Sequence, residues 1–230
     1  VCALQHCSTA EAMRRLSALK GVRLAPSFSF GGITPLRSQA PSMELISVQA
    51  VKHPKLLLYL TERGLQPSDA SPFLSEVYYR VSEKCFFALG FPNDAGGWEL
   101  RNPYFKGCFA PKAISTIKGT DSHKLQLFEG FMDFLSWRKL HPEVQDDSII
   151  LNSLNLLPKL IPSLHAYTMI ESLLDNDEAG DRATKQLFDA GLPVKDMRAC
   201  YAPYKDVNEY LVQRLQGKKI SPPRKRRLHR

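Results

Sequence analysis

Four carboxylates in two short clusters stand out in the sequence, Glu129-Gly-Phe-Met-Asp133 and Asp175-Asn-Asp177. Each cluster follows a run that reads as a buried strand, Lys124–Phe128 before the first and Thr168–Leu174 before the second. Acidic residues at the carboxyl ends of neighbouring parallel strands converge on the sheet edge where open α/β folds take their ligands. Two Asp one residue apart suit a hard cation such as Mg²⁺, which prefers oxygen ligands and keeps waters for a phosphate-bearing substrate. The pattern predicts metal-dependent chemistry on phosphate esters. Either cluster alone says less. Glu129 and Asp133 could simply favour the positive end of a helix dipole, and Asp175 or Asp177 could cap the helix that follows. An EF-hand loop fits poorly, because Gln186 stands where its bidentate Glu would be.

The elements that must position these residues follow from periodicity. From residue 121 the pattern alternates strand and helix: strand Lys124–Phe128, helix Phe131–Lys139, strand Ser148–Leu151, then an apolar segment, Leu154–Ile161, interrupted by Pro158. Strand Thr168–Leu174, helix Glu178–Ala190, a last strand Met197–Tyr201 and helix Val207–Leu215 complete it. Such alternation predicts a parallel sheet covered by helices on both faces. Upstream, His53–Arg63 reads as a helix stopped by Gly64, and Glu76–Val81, Lys84–Gly90 and Trp98–Arg101 read as strands around an Asn93–Gly97 turn. Residues 20–47 are rich in Pro, Gly and Ser and read as a linker, preceded by a short amphipathic helix at Thr9–Leu19.

Charge is unevenly distributed along the 230 residues. The total is +8, but residues 1–120 carry +6, residues 121–217 carry −5 and the last 13 residues carry +7. The segment with the carboxylates is thus the acidic one, and basic surfaces beside an acidic metal site are what a nucleic-acid enzyme needs. Five scattered cysteines point to free thiols in a reducing compartment. The N-terminus lacks the pattern of a secretory signal, no apolar run is long enough to span a bilayer, and a cytoplasmic location is expected. The first residue is Val rather than Met, which predicts a fragment of a longer protein. No P-loop, His-Glu-x-x-His or Gly-x-Ser-x-Gly pattern is present.

Taken together, Glu-Gly-x-x-Asp after one strand and Asp-x-Asp-x-Ala-Gly after another resemble the TOPRIM domain of DnaG-type primases, topoisomerases and related nucleases. Lys205-Asp-Val-Asn-Glu-Tyr-Leu211 is similar to the end of the primase version. Phe87–Asn102 and Tyr104-Phe-Lys-Gly107 resemble the segment that precedes TOPRIM in primase-like proteins of bacterial mobile elements. The fold class expected is α/β, a TOPRIM-like parallel sheet flanked by helices and preceded by a small mixed α+β primase-core subdomain. The expected organisation is a helical remnant of an upstream zinc-finger domain at 1–20, a linker at 21–47, a basic subdomain at 48–120, the TOPRIM domain at 121–217 and a basic disordered tail at 218–230.

The resemblance implies catalytic roles for Glu129, Asp133, Asp175 and Asp177, with Mg²⁺ or Mn²⁺ held by Glu129, Asp175 and Asp177. Zn²⁺ would belong only to the missing upstream finger. Arg101, Asn102 and Lys106, together with Lys205 and Asp206, are the candidates for contact with nucleic acid or nucleotide, since Arg and Lys grip phosphate. The function implied is that of a DNA primase, a nucleotidyltransferase making RNA primers for replication of a mobile element. Its expected partners are a single-stranded DNA template, ribonucleoside triphosphates and a helicase or mobilisation protein, with no membrane. The alternatives are a TOPRIM-type metal-dependent nuclease and a non-catalytic nucleic-acid-binding module.

Overall fold

A computed structural model of the protein describes residues 43–217; the expected helix at Thr9–Leu19 and the basic tail lie outside the described residues. Within them, two five-stranded sheets are laid down one after the other. The first is an antiparallel meander of β1 (Met43–Gln49), β2 (Ser75–Val81), β3 (Lys84–Pro92), β4 (Trp98–Asn102) and β5 (Phe105–Phe109), in that spatial order. Helices α1 (Pro54–Glu62) and α2 (Pro67–Ala70) separate β1 from β2. Pro54 opens α1 where a missing N–H is harmless, and His53 Nδ1 caps it by accepting from Lys55 N at 3.2 Å.

The second sheet contains β6 (Ser115–Ile117), β7 (Asp121–Phe128), β8 (Asp146–Ile150), β9 (Met169–Leu173) and β10 (Val194–Asp196), ordered β10-β9-β7-β8-β6. β10, β9, β7 and β8 run parallel, as the β-α alternation requires, while β6 joins β8 antiparallel at the edge. Helices α3 (Phe131–Leu140), α4 (Leu157–Leu164), α5 (Glu178–Asp189) and α6 (Val207–Leu215) complete the order. Strand alternation sends Leu125, Leu127, Ile149 and Ile170 into one core with α4 and α5. Phe128, Ile150 and Leu173 enter a second core with α1, α3 and α6 that also holds Leu89 and Phe91 of the first sheet. The Phe91 and Phe131 rings stack at 5.2 Å, so the two sheets close on one another through a shared apolar layer.

Polar bonds reinforce that junction. Ser115 Oγ donates to Pro92 O at 2.8 Å, and Asp94 accepts from Thr116 N at 2.8 Å and from Thr116 Oγ1 at 2.6 Å. The expected boundary at residue 120 therefore falls after a strand, β6, that already belongs to the second sheet.

Other differences from the sequence reading have physical reasons. Met43–Gln49 is a strand although the expected linker runs to residue 47. As an edge strand it exposes six of its seven residues and so shows no buried–exposed alternation. The last strand is Val194–Asp196 rather than Met197–Tyr201, and Arg198–Cys200 form a 3₁₀ turn. The apolar character of Tyr201 reflects packing: its ring is fully buried and its hydroxyl donates to Leu174 O at 2.5 Å. Pro158 does not interrupt its segment, because it lies in the first turn of α4.

Glu76, only 1% exposed, ties the start of the first sheet together. Its carboxylate accepts from Lys52 N at 2.9 Å, His53 N at 2.7 Å, Gln49 Nε2 at 3.1 Å and Tyr78 Oη at 2.6 Å. Burial alone would raise this carboxyl, but the bonds from Tyr78, Lys52, His53 and Gln49 outweigh it and hold the pKa down to about 2. A depressed pKa contributes stability that is present above the ordinary value of 4.5 and is lost as pH falls towards about 2. Glu76→Ala should destabilise the fold by about 2–4 kcal/mol, since it leaves buried donors unmet. Urea midpoints measured between pH 6 and pH 2 should fall more steeply for the wild type than for the variant, narrowing the gap on acidification.

Candidate active site

The chain reverses after β9 so that Asp175 and Asp177 stand at the carboxyl end of the sheet. Asp177 caps α5, its Oδ1 accepting from Ala179 N and Gly180 N at 3.0 Å each. Those bonds, partly opposed by burial and helped by Lys205, hold its carboxyl below the usual range. Gly180 is required by contact: a Cβ there would lie 2.0 Å from the Asp175 carbonyl oxygen. The Asp-x-Asp-x-Ala-Gly pattern thus encodes a helix start pressed against the loop that presents the aspartates.

A second loop is stitched to the first. Asn176 N donates to Lys205 O at 2.6 Å and Asn176 Nδ2 donates to Tyr204 O at 2.8 Å. Lys205 Nζ stands 3.3 Å from Asp175 Oδ2 and 3.4 Å from Asp177 Oδ2. Asp206 caps α6 by accepting from Glu209 N at 2.7 Å. Lys205 and Asp206 therefore reach the carboxylate edge, delivered by the turn after β10 rather than by a strand.

Glu129 follows β7 and is half-buried, and its Oε2 is enclosed without a hydrogen-bond partner. Burial, then repulsion from Asp175 and Asp177, pushes its carboxyl up to about 7, while Lys106 and Lys205 pull against them. Burial and the nearby Asp206 likewise raise Asp175, with Lys205 opposing. Lys205 thus offsets the aspartates directly, while Glu129 and Asp175 stay raised because burial and acidic neighbours outweigh the nearby lysines.

Asp133 is placed differently. It is 8% exposed in the first turn of α3, and its Oδ1 accepts from Asn208 N in α6 at 3.2 Å. Asn208 Nδ2 continues to Ser136 Oγ and Arg63 O, both at 2.8 Å, so α1, α3 and α6 meet at one polar node. Burial, with Asp206 and Asp175 adding repulsion, holds the Asp133 carboxyl well above its ordinary range. The sequence reading did not single out Asn208; its signal is a polar residue on the buried side of an amphipathic helix.

Arg101 and Lys106 are direct partners across β4 and β5, so they share one face of the first sheet. That face meets Glu129: Arg101, Lys106, Glu129, Gly130 and Asn152 line a cleft of about 20 Å³, room for little more than a water. Asn102 is not brought to it. Its amide donates to Phe87 O and its oxygen accepts from Tyr104 N, both at 2.9 Å, and it lines a separate pocket of about 460 Å³ with Tyr59, Phe86 and Tyr104. Asn93 also serves the backbone, accepting from Ala95 N and Gly97 N.

Among the described residues no group of three or more His, Cys, Asp or Glu forms a ready-made metal cage. The donor set nevertheless fits a hard cation. Two aspartate oxygens already share one ammonium, and a neighbouring glutamate oxygen has no partner. The free thiols among the described residues are Cys85, Cys108 and Cys200, and no helix there is long and apolar enough to cross a membrane. Cys2 and Cys7 lie outside the described residues.

A Toprim-like family model matches residues 126–211, which contain all four carboxylates. Residues 126–211 form a Toprim-like domain. Residues 45–110, spanning the first sheet, match a domain of unknown function, DUF8464. The chain shares its fold with the primase fragment of the bacteriophage T7 primase-helicase protein, at a TM-score of 0.52 and 18% identity over 78% of this chain and 80% of that one. It is also similar to the zinc-binding and RNA polymerase domains of the Aquifex aeolicus primase, at a TM-score of 0.48 and 18% identity over 74% of this chain and 56% of that one. Comparison with curated proteins finds no match. The T7 likeness extends the shared fold beyond the Toprim-like domain, to include a mostly parallel sheet preceded by an antiparallel one.

Two outcomes are expected from this geometry. A raised Glu129 pKa means that stability is full below the ordinary 4.5 and is lost as pH rises through about 7. In metal-free protein, Glu129→Gln should therefore stabilise the fold at pH 8 by about 1–2 kcal/mol, allowing for solvent screening, and by much less at pH 5. Thermal melts at the two pH values check this. Asp133→Ala should cost about 2 kcal/mol by removing the acceptor for Asn208 N, with hydrogen exchange accelerating first at the start of α6.

Proposed function

We propose that this chain is the catalytic core of a DNA primase, joining ribonucleotides on a single-stranded DNA template. The observation that carries the reading is the cleft in which Arg101 and Lys106 of the first sheet face Glu129 of the Toprim-like domain. Cationic side chains directly opposite on a strand pair repel, so an arrangement that keeps them beside a carboxylate edge suits a polyanion and its counter-ions. The fold shared with the T7 primase fragment supports the same reading.

In this reading Asp175, Asp177 and Glu129 hold Mg²⁺ or Mn²⁺. The metal, when bound, neutralises charge on the transferring phosphoryl group and aligns attacking and leaving oxygens. The chain's own residues do the rest. Arg101 grips phosphate bidentately, and Lys106 and Lys205 supply point charges at either side of the carboxylates. Glu129, whose Oε2 is enclosed without a partner beside the aspartates, completes the oxygen donor set. Asp133 holds α6, and with it Lys205 and Asp206, against α3. Asn102 shapes the β4–β5 turn.

Replication of a mobile element and work alongside a helicase or mobilisation protein belong to the same proposal. The T7 relative is part of a primase-helicase protein, which supports a helicase as the first partner to test. A cytoplasmic setting and a zinc finger upstream of the core complete it. A Toprim nuclease, using the same carboxylates to activate water, is the competing activity.

Primer synthesis on single-stranded DNA with labelled ribonucleotides, under Mg²⁺ and under Mn²⁺, tests the proposal. Short RNA products should form and should drop by at least about 10²-fold in Asp175→Ala and Glu129→Ala, the scale of losing a preorganised charged group. DNA cleavage without nucleotides, combined with no RNA product, would favour the nuclease. Unchanged biological activity in both variants would leave a binding module.

A further inference from the structure

Lys205 sets an ammonium against both aspartates of the proposed metal site. Its ammonium lies 3.3 and 3.4 Å from one oxygen each of Asp175 and Asp177, nearly equidistant from the two. Inner-shell binding of Mg²⁺ needs those oxygens at about 2.1 Å, a geometry that leaves no room for an ammonium between them. We propose that Lys205 is a tethered counter-ion that competes with the divalent cation, keeping the aspartates neutralised until metal displaces it. The inference rests on the metal-binding reading above and adds what holds the site closed without metal.

Three features make displacement feasible. The Lys205 backbone is anchored on both sides, its carbonyl accepting from Asn176 N at 2.6 Å and its N–H donating to Glu209 Oε2 at 2.8 Å. Its side chain, by contrast, is 57% exposed, so it can swing out while the loop stays still. The loop that carries both aspartates does not depend on the ammonium for its placement, because Asp177 caps α5 and Asn176 ties the loop to Tyr204. The ammonium therefore contributes charge rather than structure. Once displaced, it remains at the carboxylate edge as a free cation able to meet a phosphate.

The test compares wild type, Lys205→Gln and Lys205→Arg as full chains. Mn²⁺ affinity is read by titration calorimetry, and melting temperature is read without metal. Lys205→Gln should bind Mn²⁺ about tenfold more tightly, equivalent to about 1.4 kcal/mol. Metal-free, it should melt below the wild type. Lys205→Arg, which keeps a cation between the aspartates, should bind no more tightly than the wild type. In wild-type protein the Lys205 side-chain carbon resonances should shift as Mg²⁺ is added, a readout that needs no variant to fold. Equal Mn²⁺ affinity in the wild type and Lys205→Gln, or lysine resonances unmoved by saturating Mg²⁺, overturns the competition while leaving the metal site intact. Absence of Mn²⁺ binding in every protein overturns the metal reading and the competition together.

Discussion

Repulsion among carboxylates crowded at the end of a sheet is the constraint around which the protein is arranged. Asp175 and Asp177 sit close enough to Glu129 to resist its ionisation, Asp206 and Asp177 do the same to Asp175, and burial deepens both effects. Several nearby features answer it with positive charge or dipole, although Asp206 adds to the repulsion. Lys205 pairs with both aspartates, the N-terminus of α5 takes one oxygen of Asp177, and Arg101 and Lys106 approach from the other sheet. A fold built only for stability would place apolar or neutral groups there. The crowding is the arrangement that the proposed metal site calls for.

Holding those groups in place depends on bonds between loops rather than within them. The Asp175–Asp177 loop and the Tyr204–Asp206 loop are joined through Asn176, while Asp133 and Asn208 pin the helix that follows. Gly180 allows the helix to press against the first loop with no side chain intervening. The motif residues divide into those that face the cleft and those that hold the others still. Asp133 belongs with the second group although its charge resembles the first.

Much of this was legible in the sequence, and the reasons differ by element. Strands β7, β8 and β9 were visible because each carries a short apolar stretch set between segments of helical spacing. Helix α6 was read with its observed limits because Asp206 marks its cap and its apolar spacing is regular. Strand β1 escaped because an exposed edge carries no alternation, and β10 was displaced because buried Tyr201 mimics strand character. At the site, charge, topology and the resemblance together brought Arg101, Lys106, Lys205 and Asp206 into consideration. It could not separate Asn102 from Arg101, since adjacent strand residues look alike until the sheet's faces are known. Asn208 escaped because its importance lies in partners 72 and 145 positions away.

The seam formed by β6 has a mechanical consequence. This strand follows the first sheet in the chain, pairs with β8 in the second and bonds back to Pro92 and Asp94. With the aromatic layer of Phe91 and Phe131 behind it, the seam denies the two sheets a hinge. The gap between Arg101 and Glu129 is therefore a gauge of set width, adjusted by side-chain rotation rather than by closure of one lobe on the other.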